Sequence, residues 1–319
     1  MRARRRRPLL AGAVCLAVCA AFAGVSAPAA HAAAPLAGSA RHDAASAGAE
    51  LDGTVLRPSI QLRAPGELGL IVAHRGDSSS APENTMPAFA STGDGRAEYI
   101  EIDIRLSHDG VPVVIHDDTV DRTTDGTGAV ADLTAAQLRV LDAGSWFAED
   151  FVGTSIPTLA EVLSHAADTG GALVVEYKGT WDDEGIRTTV DLFDAAGVTG
   201  AVFAQSFSKK TVARLARARA GFLIGWLTDR IDRAAVTTAQ KIGADAVNPA
   251  HATPLGVALA HEAGLGVFSW THDEESAGAA LTAMGVDGIV TNRPAALREW
   301  MRGYDEGPRG GAQGPSSTA

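Results

Sequence analysis

Glycine punctuates the second half of this chain at a steady interval. Gly170, Gly197, Gly221, Gly243, Gly264 and Gly285 stand 21–27 residues apart, each followed by a short apolar run. A glycine after the last turn of a helix takes up left-handed backbone and lets the chain turn back. Amphipathic stretch, glycine and apolar run, repeated at this spacing, predict βα repetition with a parallel sheet. The strand candidates are Leu70–His74, Tyr99–Ile104, Pro112–His116, Leu173–Tyr177, Ala201–Gln205, Phe222–Leu227, Asp245–Asn248, Val267–Thr271 and Asp287–Thr291. That number favours a closed (β/α)8 barrel of the TIM type over an open sheet. Thr158-Leu159-Ala160-Glu161 is a capping box opening a helix that ends near Asp168.

Two irregularities interrupt the pattern. Nine strands are one too many for the barrel, and only Arg105–Val111 separate the second from the third, too few for a helical crossover. That link is either a bare loop or the turn of a hairpin. The stretch from Asp117 to Pro157 carries one helix candidate, Thr134–Asp142, and reads as a small insertion after the third strand, over the C-terminal face.

The length of 319 residues fits one barrel domain, assigned to residues 66–302, with tails. Thirty-five glycines argue against a helical bundle, and 46% hydrophobic residues exclude disorder for the bulk of the chain. Arg2, Arg4, Arg5, Arg6 and Arg7, an apolar run from Pro8 to about Val25, and Ala30-His31-Ala32 follow the order of a secretory signal peptide over residues 1–32. The expectation is export and release, with no stable membrane span after cleavage. Both cysteines, Cys15 and Cys19, lie in that leader, so the mature chain has neither disulfide nor thiolate chemistry. Residues 33–65 read as a flexible linker and 303–319 as a disordered tail. Loss of the five leading arginines takes the net charge from −11 to −16. Such a field disfavours nucleic acid and anionic membranes, so a phosphate-bearing substrate needs a local cationic site. No protein partner is implied.

Polar residues at strand ends carry the chemistry. His74-Arg75-Gly76 ends the first strand, Glu101-Ile102-Asp103 the second, His116-Asp117 the third and Glu176-Tyr177-Lys178 the fourth. Alternate residues share a face, so Glu101 pairs with Asp103 and Glu176 with Lys178. In a barrel these inward groups converge at the C-terminal mouth. Three bare carboxylates there repel one another, and one divalent cation, Ca²⁺ or Mg²⁺, is the simple remedy for an all-oxygen set. His74 and His116 supply a general base and a general acid, while Arg75 and Lys178 suit phosphate oxygens. The inventory spells metal-assisted phosphodiester hydrolysis. Trp270, at a later strand end, is placed as an apolar wall of the substrate pocket, with His251 and His272 as rim candidates. His42, His108, His165 and His261 read as linker, turn and helix-surface residues.

These residues stand within a longer ordered string. His74-Arg75-Gly76, Pro82-Glu83-Asn84-Thr85, Glu101–Ile104, Asp109–Asp117, Arg122–Gly128, Glu176-Tyr177-Lys178, Gln205-Ser206-Phe207, Ser269-Trp270-Thr271 and Gly285–Arg293 follow one another. Together they resemble the glycerophosphodiester phosphodiesterase family over about residues 70–302. The resemblance implies a TIM-type barrel with a small insertion, a divalent ion on Glu101, Asp103 and Glu176, and an acid/base pair on His74 and His116. Asn292 departs from the aspartate common at its position, and Tyr177 from the usual aliphatic residue; neither is a metal ligand. The expected reaction is secreted, metal-dependent hydrolysis of a small glycerophosphodiester to glycerol 3-phosphate and an alcohol. A sphingomyelinase-like phospholipase D is the alternative, needing an apolar rim for which Trp146, Phe147 and Phe151 are the candidates. A noncatalytic binding module on a decayed barrel is disfavoured by the complete set of histidines and carboxylates.

Overall fold

The computed structural model describes residues 59–93, 95–219 and 221–306. The leader with its Ala30–Ala32 pattern, His42, most of the linker and the end of the tail lie outside the described residues. Among the described residues there are nine strands. They are β1 (Leu70–Ala73), β2 (Tyr99–Leu106), β3 (Pro112–Val114), β4 (Ala172–Tyr177), β5 (Val202–Ser206), β6 (Leu223–Arg230), β7 (Ala246–His251), β8 (Phe268–Ser269) and β9 (Gly288–Thr291). Eight run parallel in the order β7-β6-β5-β4-β2-β1-β9-β8. The two end strands meet through an Ala246–Gly266 bridge. Val247 N–H donates to Gly266 O at 2.8 Å there, so the sheet is a nearly closed barrel.

The ninth strand is the hairpin partner. β3 pairs antiparallel with the end of β2, Ile104 opposite Val114, and lies off the barrel path. Around the barrel run α1 (Met86–Ser91), α3 (Leu159–Thr169), α4 (Asp183–Ala196), α5 (Lys209–Ala218), α6 (Arg233–Ile242), α7 (Pro254–Glu262), α8 (Glu275–Met284) and α9 (Pro294–Glu306); α2 (Ala135–Arg139) belongs to the insertion. Thr158 and Glu161 close the expected capping box on α3, and Gly170, Gly197, Gly243 and Gly285 are left-handed caps. Gly221 is not a cap. α5 already ends at Ala218, capped by Arg219, whose guanidinium reaches Gly243 O at 2.7 Å and Asp245 Oδ1 at 2.9 Å.

Period-2 alternation sorts the strand residues into two cores. Ile102, Ile104, Val175 and Tyr177 face outward against the helices in a large apolar cluster. Val72, Val174, Phe203, Leu223, Ala246, Phe268 and Val290 fill the barrel interior. Phe203 and Phe268 meet edge-on there at 4.9 Å. Burying each such side chain contributes about 1.5–3 kcal/mol. Gly225 leaves room for this packing, because a Cβ there would lie 2.9 Å from the Phe203 ring and 2.5 Å from Asn248 Nδ2.

Two expected boundaries move. Residues 59–65 pack onto the barrel instead of trailing as linker: Ile60 packs against the interior cluster and Arg63 N–H donates to Asp287 Oδ1 at 2.6 Å. Residues 303–306 continue α9. The insertion keeps a small core of its own, with Ile115, Val120, Val130, Leu138 and Ile156 buried together. No helix among the described residues is long and apolar enough to cross a membrane.

Candidate active site

The inward register that fills the barrel with valine and phenylalanine turns polar one step further along each strand. On β2 the inward positions after Tyr99 are Glu101 and Asp103, and Asp103 stands beside Glu176 of β4 in the parallel register. A pocket of about 180 Å³ opens there, lined by His74, Arg75, Glu101, His116, Glu176, Lys178 and Trp270 among others. Asp103 lies fully buried beneath it. The structure thus brings together the eight residues that the sequence assigns to catalysis, metal and substrate, the two rim candidates apart.

Glu101, Asp103 and Glu176 each offer an oxygen within 4.8 Å of the others. They are not bare. Lys178 Nζ lies 2.7 Å from Glu176 Oε1 and 3.1 Å from Asp103 Oδ1, and Arg75 Nε lies 3.3 Å from Asp103 Oδ2. Glu101 Oε2 accepts the Arg75 backbone N–H at 2.9 Å, but buried Oε1 has no hydrogen-bond partner. Burial, then repulsion from Asp103 and Glu176, pushes Glu101 well above the usual carboxylate range. Burial and Asp103 likewise push Glu176 up to about 7. Burial also works against Asp103, but Lys178 and Arg75 outweigh it and hold this carboxylate below its ordinary value. Two cations against three carboxylates leave a deficit of one positive charge, centred on an orphaned oxygen. This donor set fits a hard divalent cation.

The loops set these groups with unusual backbone. Arg75 and Asn84 adopt left-handed conformations at φ 57° and 58°. Gly76 is required beside them, since a Cβ there would fall 2.6 Å from the Ala88 backbone. Asn84 clamps Asp103 from both ends: its Nδ2 donates to Oδ2 at 2.8 Å, and its Oδ1 accepts the Asp103 N–H at 3.1 Å.

The two histidines have different surroundings. His74 Nδ1 lies 2.6 Å from Asn292 Oδ1, and burial, with Arg75's charge adding to it, lowers its pKa from 6.5 to about 4. Its ring is neutral at neutral pH. His116 Nδ1 lies 2.6 Å from Asp117 Oδ1. Burial lowers its pKa too, opposed by Asp103 and by the bond to Asp117. In both rings a donor Nδ1–H leaves Nε2 for chemistry.

Trp270 forms a wall as expected, its Nε1 donating to Asn248 O at 2.9 Å and its ring edge-on to Phe207 at 5.4 Å. The rim candidates do not line the pocket: His251 is exposed beside Asp229, and His272 Nε2 meets Ser269 Oγ at 2.8 Å. His261 lies 2.9 Å from buried Asp287, in a structural pair. Sequence reasoning missed Glu83, Asn84, Asp117, Arg122, Gln205, Phe207 and Asn292 as site residues. All stood in motifs already noted, but nothing in a linear string marks which of them meet.

The model of the glycerophosphoryl diester phosphodiesterase family matches residues 74–296. The YhdW protein of Bacillus subtilis is 38% identical over 231 residues, covering 70% of this chain and 94% of its own length. A protein of Caldanaerobacter subterraneus named glycerophosphodiester phosphodiesterase is 34% identical, over 73% of this chain and 98% of its own. Among solved structures, an Oleispira antarctica phosphodiesterase in complex with the product sn-glycerol-3-phosphate superposes with a TM-score of 0.69 at 27% identity, covering 74% of this chain and 97% of that one.

Proposed function

The chain belongs to the glycerophosphoryl diester phosphodiesterase family and is a glycerophosphodiester phosphodiesterase, and we propose that it works by cation-dependent hydrolysis with His74 as base and His116 as acid. The observation that carries this reading is the buried carboxylate cluster with its unpartnered Glu101 Oε1, flanked by both histidines in one pocket. Glu101, Asp103 and Glu176 would hold one Ca²⁺ or Mg²⁺, which when bound supplies positive charge for the phosphoryl oxygens. Arg75 and Lys178 share that load. The Oleispira protein, a structural neighbour in complex with the product sn-glycerol-3-phosphate, supports this substrate class.

The assignment of the protons follows from hydrogen bonding. His74 donates through Nδ1 to Asn292, so neutral Nε2 is free to take a proton from the attacking oxygen. That oxygen belongs to water, or to the glycerol 2-hydroxyl if a cyclic phosphate forms first; either gives its proton to the same atom. His116 is held through Nδ1 by a carboxylate, which supports its protonated form, and its Nε2 gives its own proton to the leaving alcohol. The two rings regain their starting states by exchange with solvent after turnover. One water is consumed, and glycerol 3-phosphate and a free alcohol result.

Export is part of the proposal and rests on the leader and Ala30-His31-Ala32; secreted material with Met1 still attached would overturn it. A panel of glycerophosphodiesters, with lysophospholipid micelles for the lipid-acting alternative, tests the substrate class. Glycerol 3-phosphate release that stops with a chelator and returns with Ca²⁺ or Mg²⁺ is expected. Undiminished hydrolysis after chelation would remove the cation from the reading.

A further inference from the structure

An uninterrupted chain of ion pairs runs from one side of the pocket to the other through a residue of the insertion. Arg75 Nη1 donates to Glu83 Oε1 at 2.7 Å. Arg122 forks onto both oxygens of Glu83, Nη1 to Oε2 and Nη2 to Oε1, each at 2.8 Å. Its Nε donates to Asp117 Oδ2 at 2.6 Å, and Nη2 reaches Asp117 Oδ1 at 3.1 Å. Asp117 Oδ1 in turn meets His116 Nδ1.

The pattern differs from an ordinary surface ion pair. Exposed lysine–carboxylate contacts form singly and move freely. Here all three guanidinium nitrogens are engaged, in the planar two-oxygen geometry that arginine forms and lysine cannot. Both carboxylates end on a pocket residue: Glu83 on Arg75, and Asp117 on His116. Arg122 itself does not line the pocket. It stands 45% exposed, while Asp117 and Glu83 are 27% and 13% exposed, so the guanidinium is the member of the network most open to solvent.

We propose that Arg122 is a positioning residue: it locks Asp117, and through Asp117 fixes the His116 ring in the orientation that returns a proton to the leaving alcohol. Asp117 is the neighbour of His116 in sequence and has rotamers that point away from the ring. Pinning both its oxygens removes that freedom. The bond to Glu83 anchors the guanidinium to the loop after β1, so the insertion and the barrel hold the acid together.

This inference rests on the reading of His116 as the acid, and the experiment separates the two. Arg122→Ala, Arg122→Lys and His116→Ala are compared on a choline diester of glycerol phosphate and on a nitrophenyl diester, whose leaving oxygen needs little protonation. Thermal melting checks that each variant is folded. Expected is a fall in kcat for Arg122→Ala of about 10–100-fold on the choline ester and under about 3-fold on the nitrophenyl ester, the signature of impaired proton donation. KM should change little. Arg122→Lys should recover only part of the loss, and Arg122→Ala added to His116→Ala should cost almost nothing more on either ester. Equal losses on both esters, or wild-type rates on both, overturn the proposal. If His116→Ala itself shows no difference between the esters, the acid assignment falls and takes this inference with it.

Discussion

His74 Nδ1 stands 2.6 Å from Asn292 Oδ1, and the amide that holds it is held in turn by Asp273. Asn292 Nδ2 donates to Asp273 Oδ2 at 2.7 Å, and Asn292 N–H to Asp273 Oδ1 at 2.8 Å. The amide therefore cannot flip, and only its oxygen faces the histidine. That fixes the tautomer with Nε2 unprotonated. The family's common aspartate would accept from the same nitrogen but would repel Asp273.

Asn292→Ala is accordingly expected to lower kcat by about 5–100-fold, the range for losing a buried hydrogen-bond partner. Cation affinity should stay within about 3-fold. Nitrogen chemical shifts of the His74 ring should change from a single Nδ1–H tautomer to a mixture. An unchanged tautomer with lowered kcat would place the effect elsewhere.

Stability of the metal-free chain should depend on pH in a way that the cation cancels. Glu176 rises from 4.5 to about 7, and Glu101 also rises. Between about pH 4.5 and 7 these two carboxyls keep protons that the unfolded chain has released, so their contribution to stability falls as pH rises. His74, lowered from 6.5 to about 4, contributes in the opposite sense below about pH 6.5. The carboxylate part is on the order of 3 kcal/mol for the Glu176 shift, in a pair that titrates together with Glu101. Asp103 acts in the opposite sense at lower pH, where protonation ends its pairing with Lys178 and Arg75. Without added cation, the melting temperature of Glu101→Gln should therefore gain on that of the wild type from pH 5 to 8, a difference in which the histidine contribution cancels. Saturating Ca²⁺ or Mg²⁺ should remove the gain. A difference between the two metal-free forms that does not change with pH would contradict the account.

Much of this site is legible in the chain because strand alternation is a local rule. Glu101-Ile102-Asp103 and Glu176-Tyr177-Lys178 each declare which residues share a face, and barrel closure then makes them converge. The hairpin was open to two readings, since seven residues between Ile104 and Pro112 permit either a loop or a turn. Arg122 and Asn292 were opaque for another reason. Their work depends on partners 39 and 218 residues away, and loop ends carry no periodicity to announce such meetings. The sequence marks Lys178 as a donor suited to phosphate, and only the fold shows that it is also shared between two carboxylates. The linker boundary failed because Ser, Pro and Gly around residue 60 mask one apolar anchor.

That anchor gives a stability test. Ile60 packs onto the interior cluster, its atoms within 2.8 Å of where a Gly266 Cβ would stand, and Arg63 N–H satisfies one oxygen of buried Asp287. Ile60→Ala should cost about 1–3 kcal/mol, at or below the usual core figure because the side chain is half-buried. Starting the chain at Gly66 should cost more, by also leaving Asp287 Oδ1 without its donor. Urea denaturation of the two forms checks both. Equal stability of the shortened and full chains would return residues 59–65 to the linker.

Trp270 separates binding from chemistry. Its ring stands as a wall with Phe207 and is fixed by Nε1 on Asn248 O, away from the atoms that move protons. A wall of this kind contacts substrate equally before and during reaction, so its loss raises KM and leaves kcat nearly unchanged. Trp270→Ala is expected to raise KM about 10-fold, with kcat within about 3-fold, from the apolar area it no longer covers. Trp270→Phe keeps a flat apolar face and should recover most of that affinity, at a stability cost of about 1 kcal/mol for the lost hydrogen bond. Steady-state kinetics on a choline and an ethanolamine diester of glycerol phosphate would show which end of the substrate meets the ring. A KM change that differs between the two alcohols places the leaving group against Trp270, and an equal change places the glycerol there. A fall in kcat of about 100-fold or more, the usual worth of a general acid or base, would mean that the indole orders the proton-transfer groups and is no passive wall.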